Sequence, residues 1–200
     1  TNTFDQMTGL QNRYGFDMWG YFKPPGVEQI CRVLIYMDLA GFKAINDTWD
    51  HERGDKALKF FAEQIKDICN NAKTLTQSNT EVDSFRLGGD EFCAVIRIVG
   101  IEEKDVKEVC SELHKNICIE GLAKIKYGES DVWSFLRLGC CYSTNINTSE
   151  ELEKMLKHAE KLQTDVEERL SLERGVPISL EQKERFVGEM NFSKLEPFTI

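Results

Sequence analysis

Hydrophobic and polar residues alternate along this chain with two different periodicities. Apolar residues recur at the three-to-four spacing of a buried helical face in three segments: 55–70, 102–119 and 150–172. Strand-like runs, either alternating or rich in β-branched and aromatic residues, occupy four others: 31–37, 82–87, 92–98 and 133–142. The pattern also predicts a short helix over 13–22 and a loop over 70–80. Helices packed on a central sheet follow from this alternation, which does not separate parallel from antiparallel strand order.

A pair of glycines separates two of the strand-like runs, in the sequence Arg86-Leu87-Gly88-Gly89-Asp90-Glu91-Phe92. Gly-Gly between two such runs predicts a β-hairpin with both acids at its tip. Glycines let a phosphate approach the backbone, and paired carboxylates are suitable ligands for Mg²⁺. Taken alone, the segment is equally consistent with a plain solvated turn.

A second acidic cluster, upstream of the hairpin, favours a chemical role. The apolar run 31–37 ends abruptly at Asp38, and further acids follow up to Asp55. An unpaired charge at the end of a buried strand is expensive to desolvate, and a metal ion would supply the missing partner. An EF-hand is excluded for the acidic run 47–55, because the D-x-D-x-D-G spacing is absent.

Composition limits the class of protein. The chain has 200 residues, 41% of them apolar, which suits a single domain with a real core. Its net charge of −9 argues against a nucleic-acid partner, but a nucleotide substrate remains compatible because Mg²⁺ reverses the sign of the local field. The seven cysteines include no C-x-x-C pair, and we interpret them as reduced core thiols of a cytoplasmic domain. No apolar run approaches the ~20 residues of a membrane span, although an anchor upstream is compatible with this.

The two acidic clusters together resemble the GGDEF family, the diguanylate cyclases, which condense two GTP into cyclic di-GMP. A third stretch, from Asp5 to Arg13, looks like the D-x-L-T-G-L-x-N-R motif that opens the domain in that family. The resemblance extends roughly over 5–166. It implies an α/β (α+β) fold of the nucleotidyl-cyclase or polymerase-palm type, with a mostly antiparallel central sheet flanked by helices.

The resemblance also implies a domain division and partners. Residues 1–172 would form the GGDEF domain, and 173–200 a C-terminal extension with a helix over 179–190 and an extended tail. The alternative for the extension is a linker or a fragment of a following domain. The expected partners are GTP, a second GGDEF domain in a homodimer, and an upstream sensory or dimerising domain.

The catalytic and metal-binding residues are carried over from the family motif. By the resemblance, Asp38 and Asp90 are the side-chain ligands of Mg²⁺ (or Mn²⁺), and the backbone carbonyl of Leu39 is a third ligand. Glu91 accompanies them, either on a second metal or as the group that deprotonates the attacking hydroxyl. The expected catalytic set is therefore Asp38, Asp90 and Glu91.

The substrate-binding residues are carried over in the same way. Asn46 and Asp55 would match the edge of guanine, although either could instead cap a helix. The phosphate-binding residues implied by the motif are Gly41, Phe42, Lys43, Gly88 and Gly89. Lys43 could alternatively be an ordinary surface lysine. We interpret His51 as structural, and Arg86 as a residue that fixes the hairpin or makes a domain contact.

Three departures from the family pattern bear on activity. Ala40 stands where the family usually has a second aspartate, and Glu167 where a lysine normally meets the triphosphate. The product-inhibition motif R-x-x-D is replaced by Asn79-Thr80-Glu81-Val82, which predicts no feedback inhibition through that site. Two hypotheses follow: an active cyclase, which these departures would weaken, or a regulatory module that binds GTP without turning it over. A cyclase with altered base choice is disfavoured because Asp55 is retained.

Overall fold

The structure is a computed structural model. It describes residues 2–19, 30–39, 42, 51–75, 80–102, 104–109, 136–144, 146, 148–169 and 192–194. Its helices are α1 (Arg13–Trp19), α2 (His51–Leu75) and α3 (Ser149–Arg169), with a further helical stretch at 104–109. Its strands are β1 (Ile30–Leu39), β2 (Thr80–Gly88), β3 (Glu91–Val99), β4 (Leu136–Ser143) and β5 (Phe192–Lys194).

The strands form one sheet in the order β2-β3-β1-β4-β5. β1 is antiparallel to both of its neighbours, β3 and β4, and β2 is antiparallel to β3. Among the strands that the structure describes, only β5 and β4 pair in parallel. This confirms the mostly antiparallel sheet that the resemblance implied and that the hydrophobic pattern left open.

β1 is buried along its length because a helix covers each face of the sheet. On one face, its odd-numbered residues share a core with residues of α2: Leu58, Phe61, Ala62, Ile65 and Cys69. On the other face, its even-numbered residues share a core with residues of α3: Leu152, Met155, Leu156 and Ala159. Two of the three amphipathic helices predicted from the sequence, over 55–70 and 150–172, therefore cover opposite faces of the sheet.

Local capping sets the start of two helices. The side chain of Asn12 accepts a hydrogen bond from the backbone N–H of Gly15 at 2.9 Å, which caps α1. Thr148 and Glu151 form a capping box before α3, because each side chain accepts a bond from the other's backbone N–H. In both caps, a side chain accepts a bond from a backbone N–H that has no partner within its own helix.

The prediction of a loop over 70–80 is wrong for residues 70–75. α2 continues through Leu75, and it also begins earlier than the apolar spacing predicted, at His51. The segment from Asn70 to Leu75 contains no glycine or proline, so nothing in it stops a helix that is already formed. The expected helix over 179–190 lies outside the described residues, whereas Phe192–Lys194 is extended as expected and pairs with Cys140–Tyr142.

Gly139 in β4 lets α3 come unusually close to the sheet. A Cβ at this position would lie 1.8 Å from the carbonyl oxygen of Ala159 and 2.9 Å from the backbone nitrogen of Gln163. No side chain larger than hydrogen fits there without moving the helix. The distance between α3 and the sheet is thus set by backbone contact at this point.

Five described cysteines are buried thiols rather than disulfides, in agreement with the sequence interpretation: Cys31, Cys69, Cys93, Cys140 and Cys141. Burial raises the pKa of the Cys93 thiol well above its ordinary value, so this group stays protonated. Of the helices within the described ranges, none has the length and apolar character needed to cross a membrane.

Candidate active site

The tip of the hairpin carries the adjacent acids Asp90 and Glu91. β2 and β3 pair with an irregularity between Arg86 and Gly88, so that Gly88 lies opposite Glu91. Gly88 has φ +152° and Gly89 has φ +49°, values that favour glycine over any residue with a Cβ. Asp90 therefore lies in the turn, and Glu91 is the first residue of β3. This confirms the predicted hairpin.

Arg86 fixes the hairpin, as the sequence analysis expected. Its Nε and Nη2 donate to the carbonyl oxygen of Gly89 at 3.0 and 2.9 Å. Its Nη1 donates to Oδ1 of Asp5 at 3.2 Å. Asp5 in turn accepts bonds from the backbone N–H and the hydroxyl of Thr8, at 2.9 and 2.6 Å. The opening motif of the chain is thereby tied to the turn that carries Asp90.

Asp38 lies directly opposite Glu91 on the neighbouring strand. Their Cα atoms are register partners in the antiparallel pair of β1 and β3, so both side chains are on the α3 face of the sheet. Asp38 is partly buried and Glu91 is exposed. Like charges directly opposite each other destabilise a strand pair, and a bound cation would offset this cost. On its other side, Asp38 pairs with Arg137 of β4.

Tyr36 contacts the carboxylate pair of Asp38 and Glu91, and the sequence did not identify this residue. Its hydroxyl donates to Oε1 of Glu91 at 2.9 Å, although the residue is only 4% exposed. Burial, followed by the negative charges of Asp38 and Glu91, raises the pKa of Tyr36 well above its ordinary value. The only sequence signal was its place two residues before Asp38, which puts both side chains on one face of β1.

Two further predicted residues occupy β1 or the segment after it. Leu39 is buried at the end of β1, on the face covered by α2, and its predicted role involves its backbone carbonyl. Phe42 is partly buried and packs against the same core. The other predicted residues of this segment, Gly41, Lys43 and Asn46, lie outside the described residues, as does Ala40.

Asp55 lies inside α2 rather than at its start. The helix begins at His51, so the alternative role of Asp55 as the cap of this helix is wrong. Asp55 is partly buried, whereas His51 is exposed. The guanine-binding role of Asp55 stays a prediction.

The donor set at the hairpin fits a Mg²⁺ ion that is completed by substrate. The side chains of Asp38, Asp90 and Glu91 offer carboxylate oxygens, the donors that this hard cation prefers. Within the described part of the chain, no group of three or more His, Cys, Asp or Glu side chains could hold a metal. Mg²⁺ is commonly held by one or two carboxylates together with phosphates and water, so a preformed protein cage is not required.

Comparison with known proteins agrees with the family resemblance seen in the sequence. The family model described as diguanylate cyclase, GGDEF domain, matches residues 2–170. The diguanylate cyclase DgcN of Escherichia coli is 31% identical over 121 residues, which is 56% of this chain and 26% of that protein. The cyclic di-GMP phosphodiesterase NbdA of Pseudomonas aeruginosa is 25% identical over 166 residues, which is 78% of this chain and 18% of that protein. The matched segments thus cover about a quarter or less of these relatives.

Solved structures share the fold. The GGDEF domain of DgcB from Caulobacter crescentus, in complex with c-di-GMP, has a TM-score of 0.60 at 19% identity. The match covers 88% of this chain and 95% of that one. A likeness at this level of identity concerns the fold, and the palm-like cyclase fold is the one that the sheet order and the two helical layers form.

Proposed function

Because this chain belongs to the GGDEF domain family of diguanylate cyclases, we propose that it condenses two molecules of GTP into cyclic di-GMP. The observation that carries the proposal is the pairing of Asp38 with Glu91 beside the turn of Asp90. Three carboxylates thus lie together at one end of the sheet, where two neighbouring strands end. This is an arrangement that suits a polyphosphate substrate with its cation.

The reaction forms two phosphodiester bonds and breaks two phosphoanhydride bonds. In each half, the 3′ oxygen of one GTP attacks the α-phosphorus of the other, and pyrophosphate leaves. The 3′ hydroxyl must lose its proton, and Glu91 receives it in the alternative in which this carboxylate does not hold a second metal. Its carboxylate is exposed, so the proton can pass on to water.

Asp38, Asp90 and the carbonyl of Leu39 are the proposed ligands of Mg²⁺, or of Mn²⁺ in its place, with Glu91 as a further ligand. When bound, this ion neutralises charge on the α-phosphate and on the leaving pyrophosphate. Arg86 holds the carbonyl of Gly89 and thereby keeps the turn of Asp90 in a defined position. Positioning of this kind determines how well a carboxylate serves a reacting phosphate.

Substrate recognition is assigned to two groups of residues. Asn46 and Asp55 would pair with the donors and acceptor on the guanine edge, and adenine would leave these polar groups unpaired. The backbone of Gly41 and Phe42, the amine of Lys43 and the turn glycines Gly88 and Gly89 would contact the phosphates. Gly88 and Gly89 have open space where a Cβ would stand, which leaves room for a phosphate.

The partners follow from the chemistry. Each domain would hold one GTP, so two domains must meet for the two half-reactions, and we propose a homodimer. An upstream sensory or dimerising domain is proposed because the chain spans only a fraction of its relatives' length. Since GTP is the substrate, the domain would face the cytoplasm. The residues Asn79-Thr80-Glu81-Val82 would leave the enzyme without R-x-x-D product inhibition.

The test is product analysis by mass spectrometry. Concentrated protein is incubated with GTP and Mg²⁺, beside an Asp90→Asn control that keeps the shape of the side chain. We expect cyclic di-GMP and pyrophosphate from the wild type and neither from the control. Equal product from both proteins, or none from the wild type at any concentration, contradicts the proposal.

A second candidate function is a regulatory module that binds GTP without turnover. It is favoured by Glu167 in α3, which replaces a cation with an anion where the family meets the triphosphate. Such a replacement costs on the order of 1–3 kcal/mol of phosphate binding in a partly buried site. The two functions are separated by the same experiment, because the module binds GTP in a Mg²⁺-dependent way and yields no product.

A further inference from the structure

Tyr36 lies beside the proposed cation-binding carboxylates but belongs to none of the motifs that define them. It is two residues before Asp38 in β1, and its Cα is paired with Cys93 of β3 and with Gly139 of β4. Its ring is part of the core beneath α3, together with Leu34, Cys93 and Ala159. Its hydroxyl leaves this core and meets Oε1 of Glu91 at 2.9 Å.

The contact is diagonal across the strand pair. Glu91 is directly opposite Asp38, and Tyr36 is one step further along the same face of β1. Diagonal neighbours of this kind are within reach only of long or aromatic side chains. Leu34, the next residue of β1 on this face, carries no hydrogen-bond donor in its side chain. On this face of β1, the phenol of Tyr36 therefore supplies a hydrogen-bond donor that an aliphatic side chain such as that of Leu34 lacks.

The two partners differ greatly in exposure. Glu91 is exposed and has three rotatable side-chain bonds, so holding its carboxylate in one orientation costs conformational entropy. Tyr36 is buried, and its register partner Gly139 in β4 lies in close backbone contact with α3, so the ring is enclosed between the sheet and the helix. A hydrogen bond from a fixed hydroxyl engages one oxygen of Glu91 and orients the other.

We propose that Tyr36 is a positioning residue whose hydroxyl holds Glu91 in the orientation needed to bind a divalent cation. The inference rests on the proposed function in one respect, the assignment of Asp38 and Glu91 as cation ligands. Outer groups that hydrogen-bond to ligating carboxylates typically change cation affinity by about 10-fold or more when removed. Phenylalanine at position 36 would fill the same volume of the core and lack only the donor.

The experiment compares Tyr36→Phe with Tyr142→Phe. Tyr142 is a matched control, because it is also buried in the sheet but shares its core with α2 rather than α3. The complex of each protein with a non-reactive GTP analogue is titrated with Mn²⁺ and followed by electron paramagnetic resonance, with the free analogue titrated in parallel. We expect Tyr36→Phe to weaken Mn²⁺ binding roughly 10-fold, and Tyr142→Phe to leave it unchanged. Thermal unfolding of both variants measures the cost of losing a buried hydroxyl.

A second readout separates positioning from substrate binding. At saturating GTP, Tyr36→Phe should need a higher Mg²⁺ concentration for half-maximal rate, while KM for GTP at saturating Mg²⁺ stays close to the wild-type value. A loss of thermal stability alone would not raise the Mg²⁺ requirement while leaving KM for GTP unchanged.

Three results would overturn the inference. The first is Mn²⁺ binding by Tyr36→Phe within about twofold of the wild type. The second is an equal loss in Tyr142→Phe, and the third is unchanged Mn²⁺ binding in Asp38→Asn and Glu91→Gln. If the wild type makes no cyclic di-GMP but Tyr36→Phe still loses Mn²⁺ affinity, the proposed function fails and the positioning role stands.

Discussion

Nη1 of Arg86 and Oδ1 of Asp5 are 3.2 Å apart although the residues are separated by 81 positions in the sequence. The same guanidinium holds the carbonyl of Gly89, so a single side chain connects the first motif of the chain to the turn of Asp90. Gln11 adds to this connection, because its backbone pairs with Ser84 and Arg86 of β2. The N-terminal segment is therefore held to the hairpin by both side-chain and backbone bonds.

Replacing Arg86 should affect stability and activity together. In Arg86→Met, we expect the free energy of unfolding to fall by about 1–3 kcal/mol, because the side chain is mostly buried and makes several bonds. The rate of product formation should fall roughly 10-fold to 100-fold as the turn of Asp90 loses its support. Urea unfolding and initial rates measure the two effects. Arg86→Lys keeps the charge without the planar fork, and a result equal to that of Met shows that geometry matters more than charge.

Stability at acidic pH should depend on Asp5. Burial raises the pKa of Asp5, but the bonds from Thr8 and the charge of Arg86 outweigh it, and the pKa lies below the ordinary 3.8. A carboxyl with a lowered pKa stabilises the fold above its unfolded-state pKa, and this stabilisation is lost as the pH falls through the folded-state pKa.

The stability of the wild type should therefore exceed that of Asp5→Asn by a constant amount above pH 3.8, and the difference should shrink at lower pH. Denaturant unfolding of both proteins over this range measures it. A difference that stays constant down to the acid-unfolding limit contradicts the assignment. Asp17→Asn, at an exposed position of α1, serves as the control.

Gly139→Ala should be among the most damaging small substitutions in the sheet. The new Cβ would overlap the carbonyl oxygen of Ala159, and relief requires movement of a backbone rather than a side chain. We expect a loss of about 3 kcal/mol in the free energy of unfolding, measured by urea titration. Gly100→Ala is the comparison, because it has φ +76° with no atom within 4 Å of the added Cβ. It should cost only about 1 kcal/mol, and equal effects would contradict the close approach of α3.

Binding of GTP should stabilise the domain only together with Mg²⁺. With a non-reactive GTP analogue at about 100 times its dissociation constant, the free energy of unfolding should rise by about 2.7 kcal/mol. Asp38→Asn should lose most of this increase, and the corresponding adenine nucleotide should give none. An unchanged increase in Asp38→Asn would show that Asp38 does not serve the bound nucleotide. If Asp55 recognises guanine, the guanine and adenine nucleotides should stabilise Asp55→Ala to the same extent.

Specific activity should rise with protein concentration. Each active site is proposed to need a second domain with its own GTP, so the active fraction follows the dimerisation equilibrium. Initial rates per milligram over a wide range of concentration, with sedimentation analysis in parallel, measure this. A specific activity independent of concentration in a monomeric protein contradicts the proposed homodimer.

The sequence predicted the elements well where periodicity and turn residues agreed. The Gly88-Gly89 hairpin and the apolar faces of α2 and α3 are local signals, and the structure has them at the expected places. Strand order did not follow from periodicity, because alternation reports which face is buried and not which strand is the neighbour. The family resemblance supplied the mostly antiparallel arrangement, and the order of the strands was not predicted.

Contacts between distant residues were the hardest to predict. Arg32 lies in an apolar run, is 3% exposed and donates to the carbonyl of Ile146 at 2.6 Å. It is also the register partner of Arg97, which is equally buried and forms an ion pair with Glu81. Nothing local in the sequence indicates these partners, since they are supplied by other strands and loops. The bond between Tyr36 and Glu91 escaped prediction for the same reason.

Gly139 has a consequence for engineering the C-terminal part of α3. Main-chain contact at Ala159 and Gln163 sets how closely the helix can approach the sheet. Position 167 follows 159 and 163 at four-residue intervals along this helix. Exchanging Glu167 for lysine would thus reverse one charge on a helix whose packing distance is set by backbone atoms and not by the exchanged side chain. If the proposed function holds, phosphate binding becomes adjustable by a single reversal of sign.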